Sequence, residues 1–198
     1  MIKTMKMYSR CANKIAAFLI MITEKENCKN KDLEVISYGV ELLLSSTVNL
    51  IIVLTIGSFL FGVRETVAFT LLFCPIRQYS GGFHARSYLE CTMGFLVLFV
   101  VIGDLICFVD NNWCYLVGCI VCIVLIWIIS PVDTKNKRLG EQLRDKCRRK
   151  IKIILGVEFV CIVVLFILTH NEYLRAATMA LAMNSVLLGW GNYKCYGR

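Results

Sequence analysis

The chain has 198 residues, of which 58% are hydrophobic, and its formal net charge is +8. Its mean hydropathy of +0.67 is far above that of an ordinary soluble domain and indicates an integral membrane protein. Continuous apolar runs such as 120–129 favour transmembrane helices and exclude a β-barrel, whose strands would alternate apolar and polar residues.

The first predicted element is an amphipathic helix in residues 1–30 that lies in the membrane interface. Basic residues cluster on one face of its helical wheel and apolar residues on the other. The spread of these charges also argues against a cleavable signal peptide, whose short basic region precedes a clean apolar core. A disordered basic leader is the alternative interpretation. The basic residues are Lys3, Lys6, Arg10 and Lys14.

Five of the following segments are long and apolar enough to span a membrane, which takes about 20 helical residues. A sixth is interrupted by Arg64 and Glu65, which indicates a membrane edge and a shorter span over 66–76. We therefore predict an all-α polytopic membrane protein with about six transmembrane helices within 35–190, in one domain of 1–198. The five uninterrupted segments are 35–57, 92–109, 113–130, 151–169 and 173–190.

The basic residues also predict an orientation. With the N-terminus in the cytoplasm, four segments face that side, and they hold 7, 2, 9 and 2 of the 22 Lys and Arg residues. Only Arg64 and Arg175 fall outside them. Because short cytoplasmic loops are enriched in Lys and Arg, this orientation is favoured. The four segments are 1–34, 77–90, 131–152 and the tail from 192.

The eleven cysteines do not predict a disulfide framework. Their number is odd and most lie in predicted spans, where cysteine behaves as a small apolar residue. Cytoplasmic thiols also stay reduced. The chain has two histidines and no nucleotide-binding glycine motif, so we expect no metal, no cofactor and no nucleic acid partner.

Residues 77–91, RQYSGGFHARSYLEC, place a double glycine, a histidine and a cysteine between two apolar segments. Taken alone, His84 is an interfacial histidine and Cys91 one cysteine among many. Together they form the minimal pair for acyl transfer, because a neighbouring base favours the nucleophilic thiolate. Gly81 and Gly82 provide a turn, and their N–H groups could also approach a developing oxyanion.

The spacing of the pair constrains the local structure. On one continuous helix, His84 and Cys91 would be separated by roughly 10 Å, which is too far for a proton transfer. We therefore predict that residues 80–85 are non-helical and that the next helix begins between 85 and 88. The imidazole would then lie on the first turn of that helix, whose N-terminus also favours a thiolate.

Other roles in this segment stay open. Cys74 is a rival nucleophile, although its apolar surroundings favour packing. Arg77 could extend toward lipid head groups or bind a substrate carboxylate. A residue that orients His84 is not evident. Its candidates are Gln78, Ser80 and Glu90.

The run PIRQYSGGFHA at 75–85, followed by Cys91, resembles the signature of the accessory gene regulator B (AgrB) family of quorum-sensing membrane peptidases. The amphipathic start, the multi-span layout and the loop at 130–139 are similar too. The resemblance places the family's catalytic pair on His84 and Cys91 and its arginine and glycine on Arg77 and Gly82.

The resemblance also implies a function and partners. Such proteins remove the C-terminal tail of a short precursor peptide, AgrD, through a thioester and promote its cyclisation to a thiolactone or lactone. It implies a site at the cytoplasmic face of the bacterial plasma membrane, contact with lipid and a possible homodimer. The basic stretch 135–152 suits the acidic tail of such a precursor, or else sets topology and contacts anionic lipid.

The alternative is a small transporter or peptide exporter without proteolytic chemistry. That class places ionisable residues inside its spans, along the transport pathway. The candidates are Glu41, Asp104 and Glu158.

Overall fold

The computed structural model describes residues 46–81, 88–109, 111–132, 141–168 and 171–196. These residues form six α-helices and no strand beyond one isolated bridge, which confirms the all-α prediction for the described ranges. The amphipathic helix expected in 1–30 lies outside them. The helices are α1 Ser46–Leu60, α2 Val63–Ser80, α3 Tyr88–Cys107, α4 Asn112–Ile129, α5 Glu141–Ile167 and α6 Asn171–Tyr196.

Local sequence explains several helix ends. The Asn111 side chain accepts a hydrogen bond from the Trp113 N–H at 2.9 Å, which caps the N-terminus of α4. The helix ends before Pro131, since the residue preceding a proline is disfavoured in the helical conformation. Helix α2 ends at Ser80 because Gly81 has a positive φ of 70°.

Helix α6 lies at the centre of the bundle and contacts α2, α3, α4 and α5. Its buried face is rich in small side chains, including Ala176, Ala177 and Ala180, which allow neighbouring helices to approach closely. Two apolar cores meet on this helix. One joins it to α2, α4 and α5, and the other to α1, α2 and α3.

Two of the described helices are long and apolar enough to cross a membrane, over the windows Glu90–Cys107 and Asn112–Ile129. Most residues in both windows lie on the outside of the bundle, unlike those of a core helix in a soluble protein. Helix α1 is apolar but shorter, and the apolar part of α5 follows a strongly charged first half. The prediction of about six spans therefore stays a prediction.

Contacts between helices define two ends of the bundle. At one end, Glu65 at the start of α2 forms an ion pair with Arg175 at the start of α6, so these two helices run in the same direction. At the other end, Val132 donates its N–H to the Ser80 carbonyl, and Lys150 lies over the Tyr79 ring. We call this second end of the bundle the Cys91 end, because Cys91 lies there in the first turn of α3.

Candidate functional site at the Cys91 end

Arg77 connects the last turn of α2 to the start of α3. Its Nη1 donates a hydrogen bond to the Gly81 carbonyl, and its guanidinium interacts electrostatically with Cys91. Burial lowers the pKa of Arg77 and the Cys91 charge raises it, while arginine remains protonated in proteins. The site therefore places a permanent positive charge near the predicted nucleophile.

The chain reverses direction after α2 through Gly81, whose φ of 70° and ψ of −140° are rare for any residue with a side chain. A Cβ atom at this position would lie 2.5 Å from the Val132 carbonyl oxygen. The Val132 N–H donates to the Ser80 carbonyl at 3.0 Å, and Gly81 and Val132 form a parallel bridge. The turn is thus held against the segment that follows α4.

The structure places some of the predicted site residues and leaves others undescribed. Cys91 is partly exposed in the first turn of α3, whose described part begins at Tyr88, within the predicted range. Ser80 is still helical, so the predicted non-helical stretch starts one residue later, at Gly81. Gly82 and His84 lie outside the described residues, and the His84–Cys91 pair stays a prediction.

The remaining candidates differ in exposure. Ser80 is fully buried, and its hydroxyl lies 3.5 Å from the Gly81 carbonyl oxygen. Gln78 and Glu90 are exposed. Cys74 is exposed as well, on the outer face of α2. An α2 side chain at this position points away from the helices that bury Phe73 and Ile76.

Sequence reasoning missed the residues that contact the turn from other helices. The Lys150 ammonium lies 4.7 Å from the centroid of the Tyr79 ring and 3.5 Å from its hydroxyl. Lys152 lies over Trp127 in a similar way, at 5.1 Å. Tyr79 is inside the motif and Lys150 inside the basic stretch, but nothing in the sequence pairs two residues so far apart.

Neither disulfides nor metal ligands are found in the ranges that the structure describes. The eight cysteines whose side chains the structure describes are free thiols. Nor do His, Cys, Asp and Glu side chains of those ranges form a group of three or more that could hold a metal ion. Among the described residues, the Cys91 end offers a thiol, a guanidinium, the Tyr79 hydroxyl, the Lys150 ammonium and backbone amides.

Comparison with known proteins decides the family. The sequence model described as "Accessory gene regulator B" matches residues 12–188, most of the chain. The chain belongs to the accessory gene regulator B family. The match extends well beyond the residues that carry the motif, and it confirms the resemblance of 75–91. It links the chain to accessory gene regulation, that is, to quorum sensing.

Curated relatives agree with the family assignment. A "Putative AgrB-like protein" of Clostridium perfringens is 27% identical over 176 residues, which cover 85% of this chain and 82% of the relative. "Accessory gene regulator protein B" of Staphylococcus aureus is 22% identical, over 89% of this chain and 92% of its own length. A Listeria innocua AgrB-like protein is 31% identical over 60% of this chain and 59% of its own. No solved structure matches.

Proposed function

We propose that this chain is a membrane-embedded cysteine peptidase that cuts the tail from a short quorum-sensing precursor peptide and promotes its cyclisation. The observation that carries the proposal is the match of residues 12–188 to the accessory gene regulator B family, with Cys91 in the first turn of α3 at the end of the bundle where Arg77 lies. A nearby cation favours the thiolate, which is the nucleophilic form of cysteine.

The first chemical step makes a thioester. His84 takes the proton of the Cys91 thiol, and the thiolate attacks a backbone carbonyl carbon of the precursor. Backbone N–H groups at the Gly81–Gly82 turn stabilise the oxyanion of the tetrahedral intermediate. The C–N bond then breaks, and His84 returns the proton to the amine of the leaving tail.

The second step closes the ring. A Cys or Ser side chain of the bound peptide attacks the thioester carbonyl, which forms a thiolactone or lactone and releases Cys91. For a cysteine nucleophile one thioester replaces another, so no ATP is needed. Water competes with this attack, and a site at the membrane edge would limit its access.

In this proposal the chain is a multi-pass protein of the bacterial plasma membrane, with the Cys91 end at the cytoplasmic face. The exposed apolar windows on α3 and α4 support a membrane location. The basic first half of α5 supports the cytoplasmic assignment, since short cytoplasmic loops are rich in Lys and Arg. The partners are an AgrD-like precursor, membrane lipid and a second copy of the chain.

The proposal is tested by precursor cleavage with purified full-length protein in lipid vesicles. Cys91→Ala and His84→Ala should abolish tail removal while leaving the protein inserted. Cys74→Ala, on the exposed face of α2, is the matched control and should retain activity. Cleavage by Cys91→Ala would refute the assignment of the nucleophile. Absence of cleavage by the unmodified protein with any precursor encoded beside its gene would favour the transporter alternative.

A further inference from the structure

A carboxylic acid is buried inside the bundle without a cation beside it. Glu158 on α5 exposes only 5% of its surface, and its Oε2 has no hydrogen-bond partner among the described residues. It shares the buried face of α5 with Leu155 and Ile162, which pack in the core formed with α2, α4 and α6. Neither of those two neighbours can satisfy a polar atom.

The groups that face Glu158 are weakly polar or apolar. On α4, Cys119 interacts with it electrostatically. The Cys119 sulfur lies 3.3 Å from the hydroxyl of Thr178 on α6, and this hydroxyl donates to the Leu174 carbonyl at 2.8 Å. Helix α2 contributes the apolar Ile76 to the same core.

The cations on the packed helices are engaged elsewhere. Arg175 on α6 pairs with Glu65 of α2 at the far end of the bundle. Arg77 on α2 contacts the Gly81 carbonyl and Cys91. Arg64 at the start of α2 is exposed, and the Lys152 ammonium lies over Trp127. Among the described side chains of these helices, no cation is therefore paired with a carboxylate at position 158.

The position of Glu158 along α5 also keeps its carboxyl group away from water at the helix ends. Glu158 follows Lys150, where the exposed first part of α5 ends, by eight residues and precedes the end of the helix at Ile167 by nine, which is roughly 12 Å and 13 Å along the axis. A glutamate side chain is too short to reach water at either end. Burial of an ionised carboxylate without a partner is far more costly than burial of the neutral acid, so the group takes up a proton instead.

We propose that Glu158 is a proton-binding site inside the bundle, with Cys119 and Thr178 as its polar neighbours. At neutral pH the carboxyl holds a proton taken from water, and release of that proton leaves a charge that the surrounding core does not stabilise. The proposal does not depend on the peptidase function.

The direct test is infrared spectroscopy of the full-length protein in lipid bilayers. At neutral pH the unmodified protein should show the carbonyl band of a neutral carboxylic acid, and the band should shift in deuterated water. Glu158→Gln, which keeps the shape of the side chain, should lack it, and so should Glu158→Met. Glu172→Gln, at the exposed start of α6, is the control and should retain the band. Identical spectra of the unmodified protein and Glu158→Gln would overturn the proposal.

A stability measurement checks the same proton independently. The folded state holds the proton more tightly than the unfolded chain, in which a glutamate titrates near pH 4.3. Folded-state stability should therefore decrease as the pH rises above that value, until the buried group is itself ionised. The unfolding midpoint of the unmodified protein should fall across this window relative to that of Glu158→Gln. Parallel pH profiles of the two proteins would contradict a buried proton.

Discussion

At the scale of single residues, Gly81 combines two constraints that no other residue type meets. Its φ of 70° disfavours any side chain, and a Cβ atom would collide with the Val132 carbonyl oxygen at 2.5 Å. The neighbouring atoms are backbone, which cannot move aside as the end of a flexible side chain can. The turn between α2 and α3 therefore depends on this glycine for both its conformation and its contact.

Gly81→Ala should destabilise the turn by about 1–3 kcal/mol, the typical cost of a strained backbone conformation. The added side chain should also displace the Val132 segment and disturb the hydrogen bond of Arg77 to the carbonyl of residue 81. Precursor cleavage should therefore slow. Thermal unfolding in micelles and cleavage rates would measure the two effects. Gly94→Ala is the matched control, because Gly94 is helical and a Cβ there would meet nothing within 4 Å. Equal behaviour of the two variants would show that the turn tolerates a side chain.

Arg77 offers a second test at this scale. Arg77→Gln removes the positive charge at the Cys91 end, so alkylation of Cys91 by iodoacetamide, which reacts with the thiolate, should slow at neutral pH. Arg77→Lys keeps the charge but not the geometry of the bond to the Gly81 carbonyl, and it should retain much of the alkylation rate. Both are measured in a variant whose sole cysteine is Cys91. An unchanged rate in Arg77→Gln would exclude an electrostatic role.

The sequence predicted the residues of this site better than their contacts. The motif, the turn and a helix start near 88 follow from residue types and spacing, because glycine conformation and helix geometry are local properties. The bridge of Gly81 to Val132 and the contact of Tyr79 with Lys150 depend on how helices pack across the bundle. No periodicity encodes such pairings.

At the scale of elements, α5 joins two environments in one helix. Residues 141–150 are mostly exposed and carry most of its charge, whereas the face bearing Ile151, Leu155 and Ile162 is buried in the core. Lys150 stands at the boundary and reaches Tyr79, two residues after Arg77. The helix thus brings one particular positive charge to the Cys91 end.

Lys150→Gln should raise the KM for a precursor with an acidic tail by up to about fivefold, because an exposed ion pair contributes up to about 1 kcal/mol. The KM for a precursor with amidated tail carboxyls should stay nearly unchanged, because it lacks the groups that Lys150 would bind. Lys152→Gln is the control, since that ammonium lies over Trp127 on α4. An equal increase of KM with both precursors would show that Lys150 stabilises the fold and does not bind the substrate tail.

At the scale of the whole molecule, the two ends of the bundle carry different groups. The Glu65–Arg175 ion pair and the contact of Trp113 with Phe166 lie at one end, and the basic half of α5, Gly81 and Cys91 lie at the other. Charge distribution along the sequence predicts that the second end is cytoplasmic. The packing supports the alternation of chain direction that this prediction requires, because α2, α4 and α6 begin at the same end.

A membrane-impermeant thiol reagent applied to intact cells distinguishes the two orientations of this bundle. In a background without native cysteines, Asn112→Cys and Asn171→Cys should be labelled from outside, because α4 and α6 begin at the end remote from Cys91. Asn112 is preferred to Asn111, whose side chain caps α4. Lys137→Cys should be labelled only after the cells are opened. Labelling of Lys137→Cys in intact cells would show that the bundle has the opposite orientation. Cys91 would then lie on the side of the membrane that a newly synthesised precursor does not reach.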